Sequence, residues 1–251
     1  MKKITILIPC HNEEKAIGKV IDSIPHEKLR MLGFFAEVVV IDNNSSDRTA
    51  EIAIERNVIV ISEEKKGKGN AMKAGFNAVS PNTDYVVMLD GDNTYCPDEI
   101  PRIIEPLDSN FCDVVIGSRL SGKIRKGSFK FSNRVANWFY TFITRQIYRA
   151  NTTDVLSGYF GWKKEVIDDI KDSIKAGGFV LEIEMIIKMV RLGYEIYAVP
   201  ITYNPREGKS KLHPVRDGFK ILHSLVINIF WSGKRKAAEQ IIILGNQNQN
   251  L

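Results

Sequence analysis

Two carboxylates separated by one glycine, Asp90-Gly91-Asp92, follow directly on the apolar run of residues 85–89. Side chains two residues apart on extended backbone face the same side, so both carboxylates address one ligand. Gly91 is expected to let a bulky anion approach the backbone. Oxygen donors alone suit a hard cation, Mg2+ or Mn2+, which sits between one or two protein carboxylates and the phosphates of a substrate. The same tripeptide also makes a polar turn at a strand end, so its neighbours decide its meaning.

The elements that must position these groups follow from hydrophobic periodicity. Runs rich in Val and Ile at residues 4–8, 37–41, 58–61, 85–89 and 113–116 alternate with segments of helical spacing. Residues 13–24 and 48–56 predict helices, the second capped by Ser46 and Asp47. Buried strands with helical crossovers predict an α/β fold: a doubly wound, mainly parallel sheet with helices on both faces. Ligands of such sheets bind beyond the carboxyl ends of the strands. The polar clusters fall at those ends, at residues 11–14, 42–47, 90–93 and 117–119.

From residue 127 the pattern changes. Phe131, Val135, Trp138, Phe139, Phe142 and Ile143 recur at three- and four-residue intervals with Arg134 and Arg145 among them, which predicts an amphipathic helix with a basic face over residues 131–148. That stripe serves equally as core or as a membrane-facing surface. A polar turn (152–159), a helix (181–192) and a last strand (195–201) follow. Residues 219–231 are apolar and precede Lys234, Arg235 and Lys236. This run is too short to cross a bilayer, which takes about 20 residues. The expected organisation is a catalytic domain over residues 1–218 and an apolar, basic segment over 219–251 with a frayed Asn- and Gln-rich end.

Charge narrows the partners. The net charge is +5, yet residues 119–149 hold eight Lys or Arg and no Asp or Glu, and residues 201–236 hold eight basic against two acidic groups. Such clustering suits phosphates, an anionic membrane surface or nucleic acid. No groove-reading or base-stacking signature accompanies it, which argues against nucleic acid. The three cysteines, Cys10, Cys96 and Cys112, have neither a disulfide framework nor metal-ligand spacing. The first apolar run is too short for a signal peptide, so a cytoplasmic protein is expected. No Gly-x-Gly-x-x-Gly follows the first strand. Gly67-Lys68-Gly69 and Gly208-Lys209-Ser210 both fall short of a phosphate loop.

Several motifs in register resemble one family. Residues 9–14 (Pro-Cys-His-Asn-Glu-Glu), 41–49 (Ile-Asp-Asn-Asn-Ser-Ser-Asp-Arg-Thr) and Asp90-Gly91-Asp92 resemble, in order and spacing, the motifs of family-two inverting glycosyltransferases of the GT-A fold. Gly117-Ser118-Arg119, Ser157-Gly158-Tyr159 and residues 205–211 resemble the branch that makes dolichyl-phosphate sugars, which includes dolichyl-phosphate mannose synthases. The likeness covers about residues 1–225.

The resemblance implies a nucleotide-diphosphate sugar donor and a dolichyl or other polyprenyl phosphate acceptor. UDP-GlcNAc or UDP-glucose stand ahead of GDP-mannose. Pro9, His11 and Glu13 would frame the base, Asp42 would hold base or ribose, and Asp90 with Gly91 would meet the nucleotide. Asp92, with Asn93, would hold Mg2+ or Mn2+. Arg119, Arg206 and Lys211 would bind the diphosphate and the acceptor phosphate, with Ser157 beside the acceptor; Asp92, Arg119 and Arg206 would be the catalytic groups. A phosphate monoester, with a second pKa of about 6, needs little help from a base. A hydroxyl acceptor, the alternative, needs a positioned carboxylate such as Glu182 or Glu184. A lipid acceptor implies peripheral association with the inner face of the cell membrane.

Overall fold

The computed structural model describes residues 1–208 and 214–235. Among them seven strands, β1 (Lys2–Cys10), β2 (Phe34–Asp42), β3 (Ile59–Ser62), β4 (Tyr85–Met88), β5 (Val114–Ile124), β6 (Phe160–Lys163) and β7 (Ile196–Tyr203), form one sheet in the order β3-β2-β1-β4-β6-β5-β7. The helices are α1 (Ile17–Asp22), α2 (His26–Met31), α3 (Thr49–Ile54), α4 (Lys68–Ala78), α5 (Ile100–Asp108), α6 (Phe131–Tyr148), α7 (Lys164–Ile170), α8 (Leu181–Arg191) and α9 (Pro214–Ile227).

Alternation along the strands divides two cores. Leu7, Val39 and Ile41 face Met72 and Phe76 of α4 and the apolar sides of α7 and α8. Ile6, Ile8, Val38 and Val40 face Ile17 and Val20 of α1, Leu29 of α2 and Ile103 of α5. Each such side chain contributes about 1.5–3 kcal/mol by burial, so a one-residue slip of register would reverse both layers. The mainly parallel sheet covered on both faces is the expected one.

The strand the sequence did not disclose is β6. Phe160-Gly161-Trp162-Lys163 runs antiparallel to both β4 and β5. Gly161 packs so closely on α5 that a Cβ there would lie 2.4 Å from Ile103 Cγ2. This strand returns the 157–159 turn to the carboxyl end of β4. The expected boundary after residue 218 falls inside α9, whose Ile221 and Leu225 are buried in the core.

Helix α6 is inside out. Its buried residues are Asn137, Thr141, Thr144 and Tyr148, while Phe131, Trp138 and Phe142 are 81%, 62% and 50% exposed. Polar contacts hold it alongside the packing of Tyr140, Ile143 and Tyr148 on the core: Asn137 Nδ2 donates to Asp154 Oδ1 (2.6 Å) and Thr141 Oγ1 accepts from the Val155 N–H (3.2 Å). Phe219, Val226 and Ile227 of α9 are also exposed. The basic group after it departs from expectation in one residue: Arg235 turns to the body, donating from Nε to the Leu192 carbonyl (2.8 Å) and covering the Tyr194 ring. Lys236 lies outside the described residues.

Candidate active site

The carboxyl ends of β1, β2 and β4 open on one cleft of about 170 Å3. After β1, Asn12 takes a left-handed conformation (φ 54°) and turns the chain sharply. Its Oδ1 accepts from the Ser46 N–H (2.8 Å), and the Glu13 N–H donates to Thr49 Oγ1 (2.8 Å). His11 Nδ1 meets the Asn43 carbonyl at 2.9 Å, so that nitrogen carries the proton. Asn43 ties in the next loop, donating to the carbonyls of Glu63 and Lys65 and accepting from the Gly67 N–H (2.6 Å). Asp42 is buried; its Oδ2 accepts from the Ser45 N–H (3.3 Å), but its Oδ1 has no protein partner. Such an orphaned acceptor invites a donor from a ligand. Pro9, His11 and Glu13 line the cleft, whereas Asp42 lies behind them and is not among its lining residues.

At the end of β4 each aspartate holds a cation. Asp92 Oδ2 lies 2.5 Å from Arg206 Nη2, and its Oδ1 accepts from the N–H (3.1 Å) and hydroxyl of Thr94. Burial raises the Asp92 carboxyl above the ordinary range and neighbouring Asp90 adds to this, while Arg206 opposes both. Asp90 Oδ1 lies 2.6 Å from Lys68 Nζ, which reaches 2.7 Å to Glu182 Oε1. Burial works against the Lys68 charge, but Asp90 and Glu182 outweigh it and raise its pKa. Burial raises Glu182, and Lys68 offsets this only in part. Gly158 closes the floor: a Cβ there would lie 2.7 Å from Asp90 Oδ2 and 2.8 Å from Lys68 Nζ.

Sequence reasoning missed Lys68. It had set aside Gly67-Lys68-Gly69 as a failed phosphate loop, yet the glycines serve another purpose. A Cβ at Gly67 would meet the Gly177 carbonyl oxygen at 2.0 Å, and one at Gly69 the Ala176 carbonyl oxygen at the same distance. The 175–180 segment therefore seats directly on the start of α4 and brings Phe179 to the rim of the cleft. A lone lysine between glycines at a helix start was the available signal.

Other expected residues lie elsewhere. Arg119 does not face the cleft: its Nε and Nη2 grip both oxygens of Asp154 (2.8 Å each), its plane covers the Phe129 and Tyr203 rings, and it is 7% exposed. Ser157 is fully buried, donating to the Gly117 carbonyl (2.6 Å) and accepting from the Tyr159 N–H. Asn93, in a left-handed turn (φ 60°), donates to Glu207 Oε1 (2.8 Å) instead of lining the cleft. Gly91, by contrast, does line the cleft, and a Cβ there would lie 2.4 Å from Cys10 Sγ. Glu184 is structural, accepting from Lys188 Nζ and from the N–H groups of Lys175 and Ala176. Lys211 lies outside the described residues.

Two carboxylates lining one cleft, Asp90 and Asp92, are a donor set that fits a hard divalent cation, which takes few protein oxygens and fills its shell from a substrate.

Comparison with known proteins agrees with this arrangement. The chain matches the family model described as glycosyl transferase family 2 over residues 5–171. It is 33% identical over 226 residues to a low-salt glycan biosynthesis hexosyltransferase of Haloferax volcanii, covering 90% of this chain and 53% of that protein, so it spans about half the length of that relative. It is 32% identical to a dolichyl-phosphate hexose transferase of the same organism, covering 89% of this chain and 92% of that one. Among solved structures it is similar to glucosyl-3-phosphoglycerate synthase from Mycobacterium tuberculosis, with a TM-score of 0.69 and 24% identity over 91% of this chain and 80% of that one. That structure holds Mn2+, UDP and glucosyl-3-phosphoglycerate, and another of the same protein holds Mg2+ and UDP. At this identity the likeness carries the fold, which is GT-A. The chain belongs to glycosyl transferase family 2.

Proposed function

We propose that the chain transfers a hexose from a nucleoside-diphosphate sugar to a polyprenyl phosphate such as dolichyl phosphate, with inversion, at a membrane surface. The observation that carries this reading is the outward apolar face of α6 on a glycosyl transferase family 2 domain whose cleft is lined by Asp90, Asp92 and Arg206. The name of the dolichyl-phosphate hexose transferase supports the same acceptor.

The base is held by Pro9, His11, Glu13 and Asp42. Asp42 offers one unpartnered oxygen, which suits the single imide N–H of uracil better than the paired N–H donors of guanine and favours a UDP sugar. Asp92, with Asp90, would hold Mg2+ or Mn2+, which when bound neutralises charge on the departing diphosphate. Arg206, paired with Asp92, is placed to move onto diphosphate oxygens, for which its planar fork is suited; Lys211 is the second candidate. Lys68 bridges Asp90 and Glu182 and fixes both carboxylates at the sugar side.

The acceptor phosphate oxygen forms a bond to the anomeric carbon as the bond from that carbon to the diphosphate oxygen breaks, and the leaving nucleoside diphosphate takes the electron pair. The acceptor arrives ionised, its second pKa being about 6, so no residue has to remove a proton.

Among the described residues no helix is long and apolar enough to cross a membrane. Contact is then interfacial: aromatic side chains of α6 enter the headgroup layer while Arg134 and Arg145 meet anionic lipid, each basic group near the surface adding about 1 kcal/mol. The test is incubation of the chain with labelled UDP-glucose, UDP-GlcNAc and GDP-mannose, divalent metal and dolichyl phosphate, followed by organic extraction. Label should enter the organic phase only when lipid phosphate is present; transfer confined to a water-soluble hydroxyl acceptor overturns the reading.

A further inference from the structure

A second concavity lies behind Phe179. This groove, of about 790 Å3, runs between the 175–180 segment and α9, and it shares Lys66, Gly67 and Phe179 with the donor cleft. Lys66, Lys175, Lys220 and His223 line it, and Phe230 and Trp231 form an apolar exit. Its carboxylates are engaged: Glu184 accepts from Lys188 and two backbone N–H groups, and Asp217 lies 3.8 Å from Lys220. Neither Lys66 nor Lys175 makes an ion pair among the described residues. The groove therefore carries surplus positive charge at its inner end and apolar surface at its mouth, where Phe230 is 87% exposed. A ligand matching that order has an anionic head and a hydrocarbon tail.

The wall between the two spaces is the Phe179 side chain, on a segment whose backbone is held on both sides of it: the Lys175 and Ala176 N–H groups donate to Glu184, and the Gly178 and Val180 carbonyls accept from the Leu181 (3.2 Å) and Glu184 (3.1 Å) N–H groups. The Gly69 N–H holds the Gly177 carbonyl (3.1 Å), whereas a Cβ at Gly178 would meet nothing within 4 Å. Resting on the acceptor class proposed above, we infer that the acceptor enters through this groove. Its phosphate passes along Lys175, Lys220 and Lys66, its first isoprene units lie on Phe230 and Trp231, and Phe179 turns aside to admit the phosphate to the sugar.

The double variant Lys175→Glu/Lys220→Glu tests this with the whole chain. Both side chains are solvent-exposed, and Lys175→Gln/Lys220→Gln is the milder companion should the first fail to fold. Expected are a KM for dolichyl phosphate raised at least tenfold, UDP affinity by calorimetry within twofold of wild type, and unchanged co-sedimentation with phosphatidylglycerol vesicles. An unchanged KM overturns the inference. Vesicle binding lost in proportion to activity also overturns it, because the lysines then meet phospholipid headgroups and not the acceptor. A polyprenyl phosphate carrying a diazirine on its first isoprene unit gives a readout independent of turnover. Labelling of the peptide containing residues 220–231 supports the groove, and labelling of α6 refutes it. Should the wild type glycosylate no lipid phosphate, the proposed function fails, while the labelling still decides the groove.

Discussion

Replacing Lys68 by Met keeps much of the side-chain volume and removes the charge that two carboxylates share. In the structure the ammonium lies 2.6 Å from Asp90 and 2.7 Å from Glu182, and the Lys68 and Glu182 side chains are 11% and 6% exposed. Removing one partner of a buried ion pair costs about 3–5 kcal/mol because the other charge stays uncompensated. Asp90 is less buried and recovers some solvation, so about 3 kcal/mol is expected at pH 8. With an m-value of about 3 kcal/mol per M, the urea midpoint falls by about 1 M. The pH dependence has a definite sign. Burial already places the Glu182 pKa above its ordinary value, and loss of Lys68 raises it further. A carboxyl whose folded pKa lies above its unfolded one stabilises the fold at low pH and loses that contribution as pH rises through the folded pKa. The deficit of Lys68→Met should therefore be largest at pH 8 and shrink towards pH 5. Adding Glu182→Gln should recover at least half of it at pH 8 and flatten its pH dependence. A single variant as stable as wild type at pH 8, or a double variant no better than the single, refutes the account of Lys68 as a shared counter-ion.

Asp92→Ala should lose at least a hundredfold in turnover with an unchanged circular dichroism spectrum, and EDTA should inactivate the wild type reversibly; full activity in either case rejects the metal role. Arg119→Ala should lower stability by about 3 kcal/mol or more, since it strands the fully buried Asp154. A melting temperature equal to wild type, with activity alone lost, would return Arg119 to the cleft. Trp138→Ser with Phe139→Ser should weaken binding to anionic vesicles several-fold while shifting the melting temperature by less than about 2 °C, because both rings are already exposed. A large melting shift would mean the stripe is packed.

Local patterns carried the parallel strands and most helices. Residues 4–8 and 37–41 are apolar enough to need burial on both faces, and the polar residues after them could lie only at the carboxyl ends. The strand β6 gave no such signal, because four residues with a central glycine show no period; β4 and β5 decide its place. Helix α6 was readable as a helix but not in its orientation. Its inward face is chosen by Asp154, which Asn137 and Arg119 reach together. The same partnership misdirected the reading of Arg119: a carboxylate 35 residues away claims the guanidinium, and nothing near Arg119 in sequence reports it. The lysine between two glycines at the start of α4 was a local signal for Lys68, but its two carboxylates come from different elements, after β4 and in α8, and only the fold brings them to it.

The polar attachment of α6 bears on where the domain rides relative to a bilayer. Apolar surfaces slide over one another at little cost, whereas the bonds from Asn137 to Asp154 and from the Val155 N–H to Thr141 are directional and admit one angle and one height. A helix fastened in this way acts as a gauge. On the proposed membrane contact, with its aromatic side chains at headgroup depth, the distance from the lipid phosphates to Asp90 and Asp92 would be set by the hydrogen bonds to Asp154 and Val155 together with the packing of Tyr140, Ile143 and Tyr148 on the core. A change at Asn137 would then, on the proposed lipid acceptor, raise the KM for that acceptor while leaving the affinity for the nucleotide untouched.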